Sequence, residues 1–212
     1  MKESTKNILK ELSIRYPALA GVEKDVQAVY DIIQQAFADG HKLYLCGNGG
    51  SSADCEHITG ELLKSFKKHR PLPSQLAEKL GEYGEEGEKL IMGLDGGLPA
   101  ISLCGHFAFS TAYQNDKDPM FVFAQQVNVW GNAGDVLLTL STSGNSKNCI
   151  YAAMVAKAKG MKVVFLGGGN GGKLKGMSDA SVVVPEKETY KVQELHLPVY
   201  HCLCAMLEEE FY

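Results

Sequence analysis

No apolar run of membrane length interrupts this chain, so a spanning helix is not expected. Strong charge of either sign is also missing. Net charge is −4, and the only basic run is Lys64 to Arg70, which argues against double-stranded nucleic acid as a partner. Paired C-x-x-C motifs are absent. Cys202 and Cys204 form C-x-C, and the other cysteines, Cys46, Cys55, Cys104 and Cys149, sit singly in apolar patterns. That usage excludes a zinc knuckle or a secreted disulfide framework and fits reduced, buried thiols in a cytoplasmic protein. There is no G-x-x-x-x-G-K-[ST], and no strand leads into G-x-G-x-x-G, so neither nucleotide fingerprint is supported. Met1 to Lys10 is polar and mixed in charge, unlike a signal peptide.

What is present is alternation of strand and helix patterns. Thr5–Tyr16 and Gly21–Ala38 carry helical spacing, forming an N-terminal helical segment over 1–40. Strands are predicted at Lys42–Cys46, Ala100–Cys104, Val136–Leu140, Met161–Leu166 and Ala180–Val184. Helices are predicted at Ser52–Lys68, Phe107–Tyr113, Met120–Trp130, Ser146–Lys159 and Thr189–Phe211. Residues 70–98, acidic and broken by Gly81, Gly84 and Gly87, read as a surface insertion with room for a short helix, within one domain spanning 1–212. The pattern implies an α/β fold, a doubly wound parallel sheet in three layers, with ligands at the carboxyl ends of the strands.

Two such ends carry chemistry. After the strand ending at Cys46, Gly47-Asn-Gly-Gly-Ser51 is a small-residue turn entering a helix, whose N–H groups and dipole suit an anion. On that helix His57 and Glu61 are four apart and share a face, which also fits an ordinary exposed pair. After the strand ending at Leu140, Ser141-Thr-Ser-Gly-Asn-Ser146 places four hydroxyls at another helix start. They can wrap phosphate oxygens, or serve a Ser/Thr-rich turn with a helix cap. The Gly167–Gly172 run reads as a flexible connector.

Cys-Gly-Asn-Gly-Gly-Ser with His57 and Glu61, Ser-Thr-Ser-Gly-Asn-Ser, and Val192-Gln-Glu-Leu-His196 with His201 together resemble the sugar isomerase (SIS) domain. Within it they resemble the phosphoheptose isomerases, which interconvert sedoheptulose 7-phosphate and a glycero-manno-heptose 7-phosphate. The resemblance implies a flavodoxin-like SIS fold and a homotetramer. It implies that Asn48, Gly49, Gly50, Ser51, Asn115, Asp116 and Gln193 line the sugar, and that Ser141, Thr142, Ser143 and Ser146 hold the phosphate. Glu61 would be the general base, also touching substrate, and His201 the general acid. His57, Glu61, Gln193 and His201 match the zinc ligands of some members. Aldose–ketose isomerisation needs such a carboxylate near the C–H and an acid near the carbonyl oxygen, and zinc can stabilise an enediolate.

Two departures stand out. Tyr190 occupies a position, three before Gln193, where the heptose enzymes usually carry an acidic residue. Pro198 lies between Gln193 and His201 and is expected to kink the closing helix. Cys202-Leu-Cys204 resembles a non-catalytic SIS subgroup that associates with the replication initiator, but those proteins lack the acid histidine that His201 supplies.

Overall fold

The structure, a computed structural model, describes all residues 1–212. Its centre is a sheet of five parallel strands in the order β2-β1-β3-β4-β5: β1 Leu43–Cys46, β2 Ala100–Ser102, β3 Val136–Ser141, β4 Lys162–Gly168 and β5 Ala180–Val184. This is the flavodoxin-like order, and it puts β1 and β3 side by side on either side of the switch point, where open α/β sheets bind ligands. Both motif turns leave these two adjacent strands.

Alternation along the strands feeds two cores. Leu43, Leu45, Leu138, Val164 and Val182 face the layer of α1 (Glu3–Arg15), α2 (Glu23–Ala38), α3 (Gly50–Leu63) and α10 (Thr189–Phe211). Tyr44, Leu137, Val163 and Phe165 face the layer of α6 (Phe107–Asp116), α7 (Val122–Trp130), α8 (Lys147–Ala158) and α9 (Gly172–Met177). Strands buried on both faces account for their near-continuous apolar sequence.

The structure differs from the sequence expectations at two places that bear on function. The helix expected over Ser52–Lys68 ends at Leu63, because residues 64–70 turn back around the carboxylate of Glu208. The segment after Arg70 forms two short helices, α4 (Ser74–Gly81) and α5 (Glu85–Gly93), packed on each other where Gly87 lies against Leu80. Its far end is tied down by Gly96 N–H to Arg70 O at 2.7 Å and Leu98 N–H to Leu62 O at 2.8 Å. The closing helix α10 is continuous from Thr189 to Phe211 with Pro198 inside it. The carbonyl that this proline leaves without its helical partner belongs to Glu194, an exposed residue that water can reach.

Candidate active site

The turn after β1 is built for close approach. A side chain at Gly50 would strike the amide of Gln193 from α10, with Nε2 only 2.6 Å from a Cβ placed there. Glycine at 50 is therefore what lets the closing helix meet the turn. Asn48 exchanges two hydrogen bonds with Asn148 on α8, at 3.0 and 2.8 Å, locking the two motif turns together. Beside them lies a cavity of ≈ 350 Å³ whose polar lining includes Asn48, Ser52, Cys104, Ser110, Gln114 and Asn148.

The second turn is equally ordered. Ser141 Oγ and Ser146 Oγ are 2.9 Å apart, and Ser146 precedes α8 without capping it through its side chain. Ser143, exposed, accepts from Asn145 N–H at 3.2 Å, while Thr142 is half-buried. Gly144 has φ +66° and packs so tightly on Gly171 that no side chain fits. Leu174 N–H donates to Gly144 O at 3.0 Å, and Lys173 N–H to Asn145 Oδ1 at 3.2 Å. The Gly167–Gly172 run, expected as a flexible connector, is thus a wall that buttresses the hydroxyl-rich turn.

Two turns along α3, His57 and Glu61 meet α10. His57 Nε2 lies 3.2 Å from Glu61 Oε1 and 3.4 Å from His201 Nε2. On its other side His57 Nδ1 is 3.0 Å from the Tyr200 hydroxyl, which also donates to Asp54 Oδ1 at 3.2 Å. That hydroxyl has one hydrogen, and a carboxylate can only accept. Its oxygen therefore accepts from Nδ1–H, and in the neutral ring Nε2 carries the lone pair. Burial, and secondarily His57, holds the His201 imidazole below its ordinary pKa, with Glu61 opposing. Burial likewise raises the Tyr200 phenol and the Asp54 carboxyl. Lys64 Nζ, exposed, sits 3.2 Å from Glu61 Oε2.

In that tautomer His57 Nε2 offers its electron pair beside Glu61 Oε1 and His201 Nε2, three atoms of types that can bind a proton or a cation. The separations of 3.2 and 3.4 Å resemble the edges of a tetrahedron around zinc, roughly 3.3–3.4 Å for bonds of about 2.0–2.1 Å. No three His, Cys, Asp or Glu side chains already stand as a closed ligand cluster, so the fit rests on the donor chemistry and these two distances.

Not every expected residue converges. Asn115 and Asp116, at the end of α6, are exposed and bond only each other, at 3.0 Å. His201 lines a separate groove of ≈ 160 Å³ with Arg15, Phe66 and Lys67, distinct in the single chain from the cavity beside Asn48. Reading the sequence also missed Asn148, Tyr200 and Asp54. Asp54 precedes His57 by three on α3, so a shared helical face was the available signal for it. Asn148 and Tyr200 act across more than 90 residues and offered none.

The chain matches the SIS domain over residues 17–90 and 97–168. It belongs to the SIS domain family. Among curated proteins, this SIS domain is 37% identical over 204 residues to a phosphoheptose isomerase of Leptospira biflexa, covering 95% of this chain and 93% of that protein. It is 32% identical over 212 residues to the phosphoheptose isomerase of Akkermansia muciniphila, covering 100% and 99%. Among solved structures, a phosphoheptose isomerase from Francisella tularensis superposes with a TM-score of 0.76 at 30% identity, covering 99% of this chain and 100% of that one. The phosphoheptose isomerase from Neisseria gonorrhoeae gives 0.72 at 28%, covering 97% and 94%. No helix of this SIS domain is long and apolar enough to cross a membrane.

Proposed function

We propose that this chain is an aldose–ketose isomerase of a sugar phosphate, converting sedoheptulose 7-phosphate to D-glycero-D-manno-heptose 7-phosphate. One observation carries the reading beyond family membership: Glu61 and His201, 140 residues apart in sequence, both reach His57, placing a carboxylate and an imidazole at one point. A non-catalytic binding role would have no use for that pairing.

In this mechanism the phosphate docks on the N–H groups and hydroxyls of Ser141, Thr142, Ser143 and Ser146 at the start of α8. Asn48, Gly49, Gly50, Ser51 and Gln193 orient the sugar chain. The Glu61 carboxylate takes the proton from one of the two adjacent carbons and returns it to the other through an enediol. His201 supplies a proton to the carbonyl oxygen and takes back the one that leaves the neighbouring hydroxyl as the new carbonyl forms; burial keeps its imidazole from holding that proton too tightly. Tyr200 and Asp54 keep His57 in one tautomer. A zinc ion would be held by His57, Glu61, Gln193 and His201, and when bound it would supply charge to stabilise the enediolate oxygen.

The working form is a homotetramer, in which a neighbouring copy closes the gap between the His201 groove and the cavity beside Asn48 and gives Asn115 and Asp116 a role. Exposed apolar side chains such as Ile14, Phe107 and Val129 support association. The test is an isomerisation assay across five-, six- and seven-carbon ketose phosphates, with and without chelator, on protein sized by analytical ultracentrifugation. Turnover of the seven-carbon ketose is expected, with loss on chelation and recovery with zinc. No turnover of any of them refutes the reading.

A further inference from the structure

We propose that the buried pair Arg70–Glu208 is a positioning device that sets the Glu61 carboxylate against His201. The inference rests on the isomerase reading and adds residues outside its machinery. Arg70 and Glu208 are 0% and 1% exposed, and Arg70 Nε donates to Glu208 Oε1 at 2.7 Å. The rest of the guanidinium is spent on the end of α3. Nη2 donates to the backbone oxygen of Glu61 itself at 2.9 Å, and Nη1 to that of Leu62 at 2.8 Å. These carbonyls lie in the last turn of α3, where no helical N–H remains to satisfy them, and a cation there also complements the helix dipole.

Glu208 completes the connection from the other side. Its carboxylate accepts Phe66 N–H at 2.8 Å, Lys67 N–H at 2.8 Å and Lys68 N–H at 3.1 Å. Glu208 follows His201 by seven residues, two turns along the same face of α10. One ion pair therefore joins the residue that carries the base to the helix that carries the acid. A second route runs through Phe66, whose backbone Glu208 holds and whose ring lies 5.6 Å from the His201 ring.

Stability is a poor reason for such a pair. Burying two charges forfeits hydration, and apolar replacements of similar volume commonly fold as well or better. What the pair supplies is direction: a planar fork fixes two carbonyls and a carboxylate at once, which neither an apolar side chain nor lysine can do. Misplacing a catalytic group by about 1 Å costs on the order of 100-fold in rate, enough to make this geometry matter.

The experiment compares the wild type with Arg70→Lys and the double variant Arg70→Met/Glu208→Leu. Steady-state kinetics on sedoheptulose 7-phosphate are paired with thermal unfolding and circular dichroism. Both variants are expected to lose roughly 30- to 100-fold in kcat with KM within about threefold while keeping the wild-type circular dichroism spectrum, the double variant melting below the wild type because it leaves the N–H groups of Phe66, Lys67 and Lys68 without their acceptor. A kcat within threefold of the wild type in either folded variant overturns the proposal. Hydrogen exchange on the wild type gives an independent reading: the amides of Phe66, Lys67 and Lys68 should be protected like those of β3, and exchange at the rate of an open loop overturns it too. A wild type with no turnover would instead refute the isomerase reading, while the exchange measurement still judges the clamp.

Discussion

The Nε2 atoms of His57 and His201 lie 3.4 Å apart, and the same His57 nitrogen lies 3.2 Å from Glu61 Oε1. A carboxylate and two imidazoles from two helices thus share one small volume. If Glu61 moves the proton, Glu61→Gln keeps the shape but removes the base. Isomerisation should fall by on the order of 10²–10⁴-fold, while the sugar phosphate still binds. Rapid-mix turnover with isothermal titration of the ketose phosphate checks this, and full activity would remove Glu61 from the mechanism.

The hydroxyl of Ser143 is exposed at the mouth of the second turn. Its removal takes away one charge-assisted hydrogen bond, worth about 1.5–3 kcal/mol. Ser143→Ala should weaken sugar phosphate binding by roughly tenfold or more. Titration of the two proteins with the same ligand decides, and unchanged affinity would move the phosphate elsewhere.

Cys104 lines the cavity beside Asn48, and hydrogen bonds led by those from Cys55 and Ser52 bring its thiol down to about 6 against the opposing effect of burial. A hydrogen bond that the Cys46 thiol makes to Cys149, with burial, raises Cys46, and burial raises Cys55, Cys202 and Cys204. At pH 7 iodoacetamide should therefore modify Cys104 well before those four, since the thiolate is the nucleophile. Peptide mapping by mass spectrometry reads the order, and saturating sugar phosphate should slow the reaction. Preferential labelling of a buried cysteine would contradict this.

His196, fully buried on α10, has no well-formed hydrogen bond at either ring nitrogen, and burial lowers it to about 4, with the Gly167 backbone opposing weakly. The unfolded chain takes up this proton near 6.5 and the folded chain only near 4. As pH falls through that window the unfolded state is favoured, so stability is lost between about pH 6.5 and 4, by up to about 3 kcal/mol. His196→Leu removes this component. Urea midpoints at pH 7 and pH 4 should drop less for the variant than for the wild type, and equal drops would show that His196 titrates normally.

The layers of the fold were legible because hydrophobic periodicity is local: the predicted limits of β5 and α10, Ala180–Val184 and Thr189–Phe211, are those observed. The turns after β1 and β3 were legible for the same reason, since glycine and hydroxyl residues mark them. What sequence reading could not supply was the end of α3. Lys64 to Lys68 reads as a helical continuation, yet its backbone leaves the helix to satisfy a carboxylate about 140 residues away. Nor could it see that Gly167–Gly172 packs against the turn after β3, because the residue it meets, Gly144, belongs to another strand's turn. Long-range pairing of polar groups leaves no period in the chain.

Because α10 is one unbroken helix, Gln193 at the first turn and Glu208 at the Arg70 anchor are held in a fixed angular relation along a rod of about 22 Å. Adding or deleting a single residue between them would swing one end by about 100° relative to the other. Sequences sharing this site should therefore keep that fifteen-residue interval constant.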